Sequence, residues 1–423
     1  GDLAMALSLP GNQEWAALCA ADGEFRMAAR FWRGGLVLEI GGETLTLRLE
    51  DGEVNPGAPA GGEGVIRYSA EESVWSNLLA APPPPFFNDI TPATALGLRV
   101  EADPVLHAQY YGAAKRAIDL LRPEGAMPDA LSDAVRAETA PPGSFDAPVG
   151  RYIHLDLGGH DFRVYYEEAG QGIPLLLQHT AGANSSQWRH LFEYPEITSR
   201  FRLIAWDLPF HGKSLPPPLR TWWSENYRLE GAFLRSVPLA FIDALGLEDP
   251  LFMGCSVGGL LALDLALHHP DRFKAVISLE GALRIAASGE FPGLWHPAVG
   301  NEYKGQLMEG LIAPLAPTAY RKETAYVYAS GWPPAFIGDL RYYATEFDLR
   351  QRAGEIDTSR VGVHILSGEY DYSGTPELGR AAHQAIAGST WELMEGMGHF
   401  PMSENPERFV YYLLPLLERI ESG

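Results

Sequence analysis

The stretch Leu251–Asp271 reads LFMGCSVGGLLALDLALHHPD. It opens as a short apolar run and continues as a helix with an apolar face. At the junction stand Gly254, Cys255, Ser256, Val257 and Gly258. A strand that turns sharply into a helix lifts one side chain clear of the sheet's carboxyl edge. Crowding at such a corner requires residues without bulk two positions either side, and Gly254 and Gly258 supply them. The apex residue sits in strained backbone, so a chain that keeps a serine there is expected to use it. A serine hydroxyl is a poor nucleophile at neutral pH and needs a base within hydrogen-bond reach, itself oriented by a third group.

Outward from this corner, strand-like and helix-like runs alternate. RYIHLDL and FRVYYEEAG read as a hairpin pair. PLLLQH, FRLIAWD, PLFMGC, FKAVISLE, VGVHILSG and STWELMEG follow as strand candidates, several of them continuous apolar runs of the kind buried on both faces. Helical stretches separate most of them, and the last is PERFVYYLLPLLERI, with Asn405 as its cap and Pro406 in its first turn. The alternation predicts a mostly parallel eight-stranded sheet with helices on both faces. His399, in EGMGHFPMSENPERF, follows the last strand, and Asp371, in SGEYDYSGTPE, follows the one before it. Ser256, Asp371 and His399 thus all fall at the carboxyl ends of strands, where sheets of this class bind ligands.

On these residues, and on DLPFHGKS at 207–214, the segment from about 151 to 423 resembles the α/β-hydrolase superfamily. The pattern G-x-S-x-G between a strand and a helix is its nucleophile elbow, and its chain order is Ser, then Asp or Glu, then His. The resemblance implies Ser256 as nucleophile, His399 as general base and acid, and Asp371 as the orienting carboxylate. Glu280, at the end of the preceding strand, is the rival for the last role. The resemblance also implies an oxyanion hole from the N–H of Val257 and, in HTAGANSSQW, the N–H of Ala181, with the Thr180 hydroxyl as an added donor. Thr180 stands where the family usually has glycine. Relatives that open halides or epoxides carry Asp at the elbow, so Ser256 favours acyl transfer. The expected activity is a serine esterase or lactonase working without metal or organic cofactor. Carbon–carbon hydrolysis of a diketone by the same triad is the chemical alternative, and slow-turnover lipid or ligand binding is the alternative of another class.

Between Glu280 and Val361 the alternation stops in a long aromatic region, read as a helical lid at about 283–355. Trp295, Trp332, Tyr342 and Tyr343 from this region, with Trp188 from the oxyanion loop segment, are candidate substrate contacts. They suggest an apolar or aromatic small molecule. His179 and His211 read as structural turn residues, and Cys255 as buried core.

The clearest break is AETAPPGSFDAPV at 137–149, taken as a linker between a domain at 1–136 and the catalytic domain at 150–423. The first domain reads as a small α+β unit. GLVLEI and ETLTLRL flank a Gly41–Gly42 turn, GVIRYS makes a further strand, and helices lie near 71–80 and 107–122. DGEFRMAARFWRGGLVLEIGGETLTLRLEDGEV is similar to a sterol-carrier-protein type 2 domain, which implies an apolar tunnel or a homodimerisation surface.

Of the 423 residues, 54 are acidic and 32 basic, a formal net charge of -22. That balance argues against nucleic acid as a partner. Two cysteines, Cys19 and Cys255, exclude a disulfide framework and point to a reducing, cytoplasmic setting. No apolar run reaches the length of a membrane span. The first residues, GDLAMALSLP, are too short for a signal peptide and read as an expression remnant.

Overall fold

The runs that alternate with helices are the strands of a computed structural model, which describes residues 7–123, 140–286 and 291–423. The suggested expression remnant at the start and the first part of the linker, 137–139, lie largely or wholly outside those residues. The described residues cluster into two units, one of 7–123 with 291–315 and the other of 140–286 with 316–423.

In the first unit, helices Asn12–Ala21 and Gly23–Ala29 precede five strands: β1 (Gly34–Ile40), β2 (Glu43–Glu50), β3 (Glu53–Pro56), β4 (Val65–Ala70) and β5 (Arg99–Glu101). Their order is β3-β2-β1-β4-β5, and only the β1–β4 pair is parallel. The core is built on three fully buried tryptophans. Each indole N–H reaches a carbonyl: Trp15 that of Ala117 at 2.9 Å, Trp32 that of Gly64 at 2.8 Å, and Trp75 that of Glu39 at 2.8 Å. Burying a tryptophan without such a partner would leave an unpaired donor. The helix expected near 107–122 runs Pro104–Asp119, because Asp103 caps it by accepting from the N–H groups of Val105 and Leu106 at 3.0 Å.

Residues 291–315 pack here and not with a continuous lid at 283–355. A Cβ on Gly293 would stand 2.3 Å from the Ala108 methyl, a closeness only glycine permits. The amide of Gln109 donates to the Ala298 carbonyl at 2.9 Å, and that of Asn88 to the Gly310 carbonyl at 2.9 Å.

The second unit carries β6 (Val149–Leu157), β7 (His160–Gly170), β8 (Ile173–Gln178), β9 (Phe201–Trp206), β10 (Leu251–Cys255), β11 (Ala275–Leu279), β12 (Gly362–Gly368) and β13 (Thr390–Met394). The order is β13-β12-β11-β10-β8-β9-β7-β6. The six strands from β13 to β9 are mutually parallel, and β6 and β7 close the far edge as an antiparallel hairpin. β10 and β11 are buried at every residue, which explains why they read as unbroken apolar runs. Helix Val257–His268 packs against them on one face. Helix Pro406–Ser422 packs on the other, over a core of Leu175, Leu177, Phe201, Met253 and Ile277. Asn405 caps that last helix, accepting from the Arg408 N–H at 3.3 Å. Among the described residues, no helix is long and apolar enough to cross a membrane.

Candidate active site

At the end of β10, Ser256 takes φ 59° and ψ −109°, a conformation that costs a non-glycine residue roughly 1–3 kcal/mol. Its own N–H donates to the Leu279 carbonyl at 3.0 Å, which ties the corner to β11. Both flanking glycines are required by space. A Cβ on Gly254 would lie 2.3 Å from the Gly258 carbonyl oxygen, and one on Gly258 would lie 2.7 Å from that of Gln178.

The buried Ser256 hydroxyl stands 2.8 Å from His399 Nε2, and His399 Nδ1 stands 2.6 Å from Asp371 Oδ2. Asp371 Oδ1 accepts the N–H groups of Ser373 at 2.8 Å and Gly374 at 3.1 Å. A carboxylate so surrounded is an acceptor, so Nδ1 carries the ring hydrogen and Nε2 is left to take the serine proton. The loop that presents the imidazole is held on both sides of it. Buried Glu404 accepts from the N–H of Gly398 and of Phe400, each at 3.0 Å. The Cys255 thiol donates to the His399 carbonyl at 3.1 Å.

Opposite the elbow, Val257 opens its helix, so its N–H has no carbonyl four residues back to use. The Ala181 N–H also has no hydrogen-bond partner among the described residues. The Thr180 hydroxyl is engaged. It and the Thr180 N–H both reach Gln187 Oε1, at 3.1 and 3.0 Å, and it also contacts the Tyr328 hydroxyl. It is thus a brace of the loop, and the two backbone N–H groups remain the candidate oxyanion donors.

The next residue, Gly182, is anchored by Asp339. This fully buried carboxylate accepts from Gly182 N–H at 2.7 Å, His211 Nε2 at 2.6 Å and the Tyr227 hydroxyl at 2.8 Å. His211 Nδ1 lies 2.9 Å from the Pro209 carbonyl, so both ring nitrogens face acceptors, a pattern that favours the imidazolium. Burial opposes that charge, but Asp339 outweighs it and raises the pKa of His211. Its neighbour His179 is the reverse. Nδ1 donates to the Thr180 carbonyl at 2.8 Å while Nε2 accepts from the Leu208 N–H at 3.0 Å, which fixes a neutral ring. Burial and the charge on His211 push its pKa down to about 3.

The five candidate substrate contacts divide. The Tyr343 hydroxyl lies 2.6 Å from the Oγ of Ser373, whose N–H binds Asp371 Oδ1, so it stands beside the Asp371 turn. The Tyr342 hydroxyl instead donates to Asp264 at 2.9 Å, bracing helix Val257–His268. Trp188 is fully buried in the core beneath the sheet, against the expectation of a substrate contact. Trp332 stacks on Phe210 and, with Trp222 and Tyr227, lines a cavity of about 240 Å³ whose lining includes none of Ser256, Asp371 and His399. Trp295 lies in the first unit and is half exposed. Asp339, Glu404 and Tyr328 were not legible beforehand. Asp339 and Tyr328 act through contacts with residues more than a hundred positions away, and Glu404 through the main chain of a nearby loop, which no side-chain spacing marks.

The sequence matches the family model described as the alpha/beta hydrolase fold over residues 173–309. A pimeloyl-(acyl-carrier protein) methyl ester esterase of Vibrio vulnificus is 24% identical over 266 residues, covering 59% of this chain and 96% of that relative. Among solved structures, an esterase from Thermogutta terrifontis is similar with a TM-score of 0.54 at 18% identity, over 64% of this chain and 99% of the other. An enol-lactonase from Burkholderia xenovorans is similar with a TM-score of 0.50 at 22% identity, over 63% of this chain and 100% of the other. Strand order, family match and structural likeness agree: the C-terminal part of this chain has the α/β-hydrolase fold.

Proposed function

We propose that this protein is a serine hydrolase of carboxylic esters or lactones, with Ser256 as the nucleophile. The observation that carries the proposal is the unbroken relay from Ser256 Oγ to His399 Nε2, at 2.8 Å, and from His399 Nδ1 to Asp371 Oδ2, at 2.6 Å. Ser256 attacks the carbonyl carbon as its proton passes to Nε2. The developing oxyanion takes hydrogen bonds from the N–H groups of Val257 and Ala181. His399, now cationic beside Asp371, hands the proton to the departing alcohol, and the acyl group stays on Ser256. A water then gives its proton to His399 and attacks the ester carbon, releasing the acid and restoring the hydroxyl. Similarity to an esterase and an enol-lactonase supports this reading at the level of fold.

The test is a panel of p-nitrophenyl esters, lactones and diketones run on the wild type and on Ser256→Ala. Ester or lactone turnover that vanishes in the variant supports the proposal. Turnover of diketones alone assigns carbon–carbon hydrolysis, and one turnover or none assigns ligand binding. The N-terminal unit is read as a packing or dimerising module, and a one-chain mass for the full protein in solution counts against the dimer.

A further inference from the structure

Behind the relay lies a second acid that the mechanism above does not use. Glu280 follows β11 with φ 59°, a strained value for a residue with a long side chain, and it is fully buried. Its main chain is fixed: its N–H donates to the Leu366 carbonyl at 2.9 Å, and a Cβ on Gly374 would lie 2.3 Å from its carbonyl oxygen. The main chain of Glu280 is therefore held against the loop that carries Asp371.

The two oxygens of that carboxyl have different surroundings. Oε2 accepts the Gly368 N–H at 2.8 Å, at the point where β12 ends and the Asp371 turn begins. Oε1 is buried and has no donor to pair with. Glu280 and Asp371 stand against the same glycine: a Cβ on Gly374 would lie 2.3 Å from the Glu280 carbonyl oxygen and 3.2 Å from Asp371 Oδ2, and Asp371 is among the groups that raise the pKa of Glu280. Two ionised carboxylates have no hydrogen to share, so as a pair of anions they would repel in a site closed to water. One proton between them turns the same contact into a hydrogen bond. Both oxygens of Asp371 already accept, Oδ2 from His399 and Oδ1 from two backbone N–H groups, and an ionised carboxylate has room for one acceptor bond more, whereas Oε1 of Glu280 accepts from nothing. The proton therefore belongs on Oε1 of Glu280.

We infer that Glu280 is a neutral carboxylic acid that donates its Oε1 hydrogen to the Asp371 carboxylate, making it the positioning residue that holds Asp371 behind His399. The inference rests on the hydrolase reading for its consequence, though not for its geometry. The other groups around Glu280 agree with it. Glu404 lies on the helix Pro401–Glu404, the Cys255 thiol ends β10, and burial together with Asp371 and Glu404 raises the pKa of Glu280 well above the carboxylate range. The arrangement uses one acid to orient another while adding no second negative charge.

The geometry selects the variants. Glutamine reproduces the pattern atom for atom, since its oxygen can accept from Gly368 while its NH₂ donates to Asp371. Methionine keeps the length and offers neither. Glu280→Met is expected to lower kcat about tenfold to a hundredfold with KM little changed, the loss of one hydrogen bond to a charged group. Glu280→Gln is expected to recover most of that loss and to leave the midpoint of the acid limb of the kcat/KM profile where it is. An ionised Glu280 gives a different result: glutamine then deletes a buried negative charge near the imidazole and moves that midpoint down by about one unit or more.

The proton is also read without turnover. The infrared difference between wild type and Glu280→Gln at neutral pH should show the carbonyl stretch of a protonated carboxyl in the wild type. No such band, or an acid limb displaced in Glu280→Gln, overturns the inference. Wild-type kcat in Glu280→Met overturns the positioning role, and if that variant does not fold, the infrared comparison decides. An inactive wild type, or an active Ser256→Ala, sinks the hydrolase reading and leaves the infrared result standing.

Discussion

Replacing Asp339 by alanine removes a buried carboxylate that accepts from Gly182 N–H, His211 Nε2 and the Tyr227 hydroxyl at 2.6–2.8 Å. Each hydrogen bond to a charged group is worth about 1.5–3 kcal/mol. The full sum overstates the loss, because His211 can shed its proton once its counter-charge is gone. Breaking a buried pair usually costs about 3–5 kcal/mol, and Asp339→Ala should fall in that range. The catalytic effect is separate. Gly182 follows Ala181 directly, with φ 64° and so little room beside it that a Cβ would lie 2.6 Å from the Phe336 ring, so an unanchored Gly182 displaces the Ala181 N–H with it. Loss of one oxyanion donor lowers turnover about 10²–10³-fold. Asp339→Asn should be milder. Its oxygen can still accept from Gly182 and its NH₂ can face Tyr227, whose hydroxyl is free to turn and accept. Urea unfolding gives the stability change, and steady-state hydrolysis of a p-nitrophenyl ester gives the rate. If Asp339→Ala unfolds within about 1 kcal/mol of the wild type and keeps its kcat, the carboxylate does not hold the oxyanion loop.

Three further outcomes are expected. His190 faces Glu193 through Nδ1 at 3.1 Å and Glu323 through Nε2 at 2.7 Å, and these carboxylates outweigh burial to raise its pKa to about 9. Because the folded value lies above the unfolded one, the stabilisation is complete below about pH 6.5 and is lost as pH rises through 9. Discounted for the partly exposed partners, it amounts to about 2 kcal/mol, and a His190→Gln variant whose stability falls equally over that interval would contradict it. Tyr343→Phe should lower kcat about threefold to tenfold with little change in the unfolding midpoint, since one neutral hydroxyl, bonded to Ser373 beside the Asp371 turn, is lost; an unchanged kcat removes Tyr343 from the site. Gly254→Ala places a methyl 2.3 Å from backbone that cannot yield cheaply, so it should cost about 1–3 kcal/mol and most of the activity, and a stable, active variant would show that the elbow has slack.

The eight strands of the second unit were legible because each is an apolar run set off by turn residues, and the elbow was legible because two close backbone approaches demand glycine at fixed spacing. His399 and Asp371 could be placed because they follow the last two strands. The boundaries of the lid were not. Residues 291–315 join the first unit through Gly293 against Ala108 and through side chains of Asn88 and Gln109, pairings nearly two hundred or more positions apart that no local pattern encodes. Trp188 shows the converse limit. A tryptophan beside a catalytic loop reads the same whether its ring faces substrate or core, and here it faces core. The two helices ahead of β1 and the short strands β3 and β5 were missed because they carry little periodicity over so few residues.

The proposed hydrolysis depends most on Ser256 being made nucleophilic by His399, and a fluorophosphonate measures that directly. Intact-protein and peptide mass spectrometry should find one phosphonyl group per chain, on Ser256, forming at a rate that collapses in His399→Ala and abolishing ester hydrolysis as it forms. Hydrolysis that persists after Ser256 is fully labelled, or a label that settles on another residue while Ser256 stays free, would contradict it.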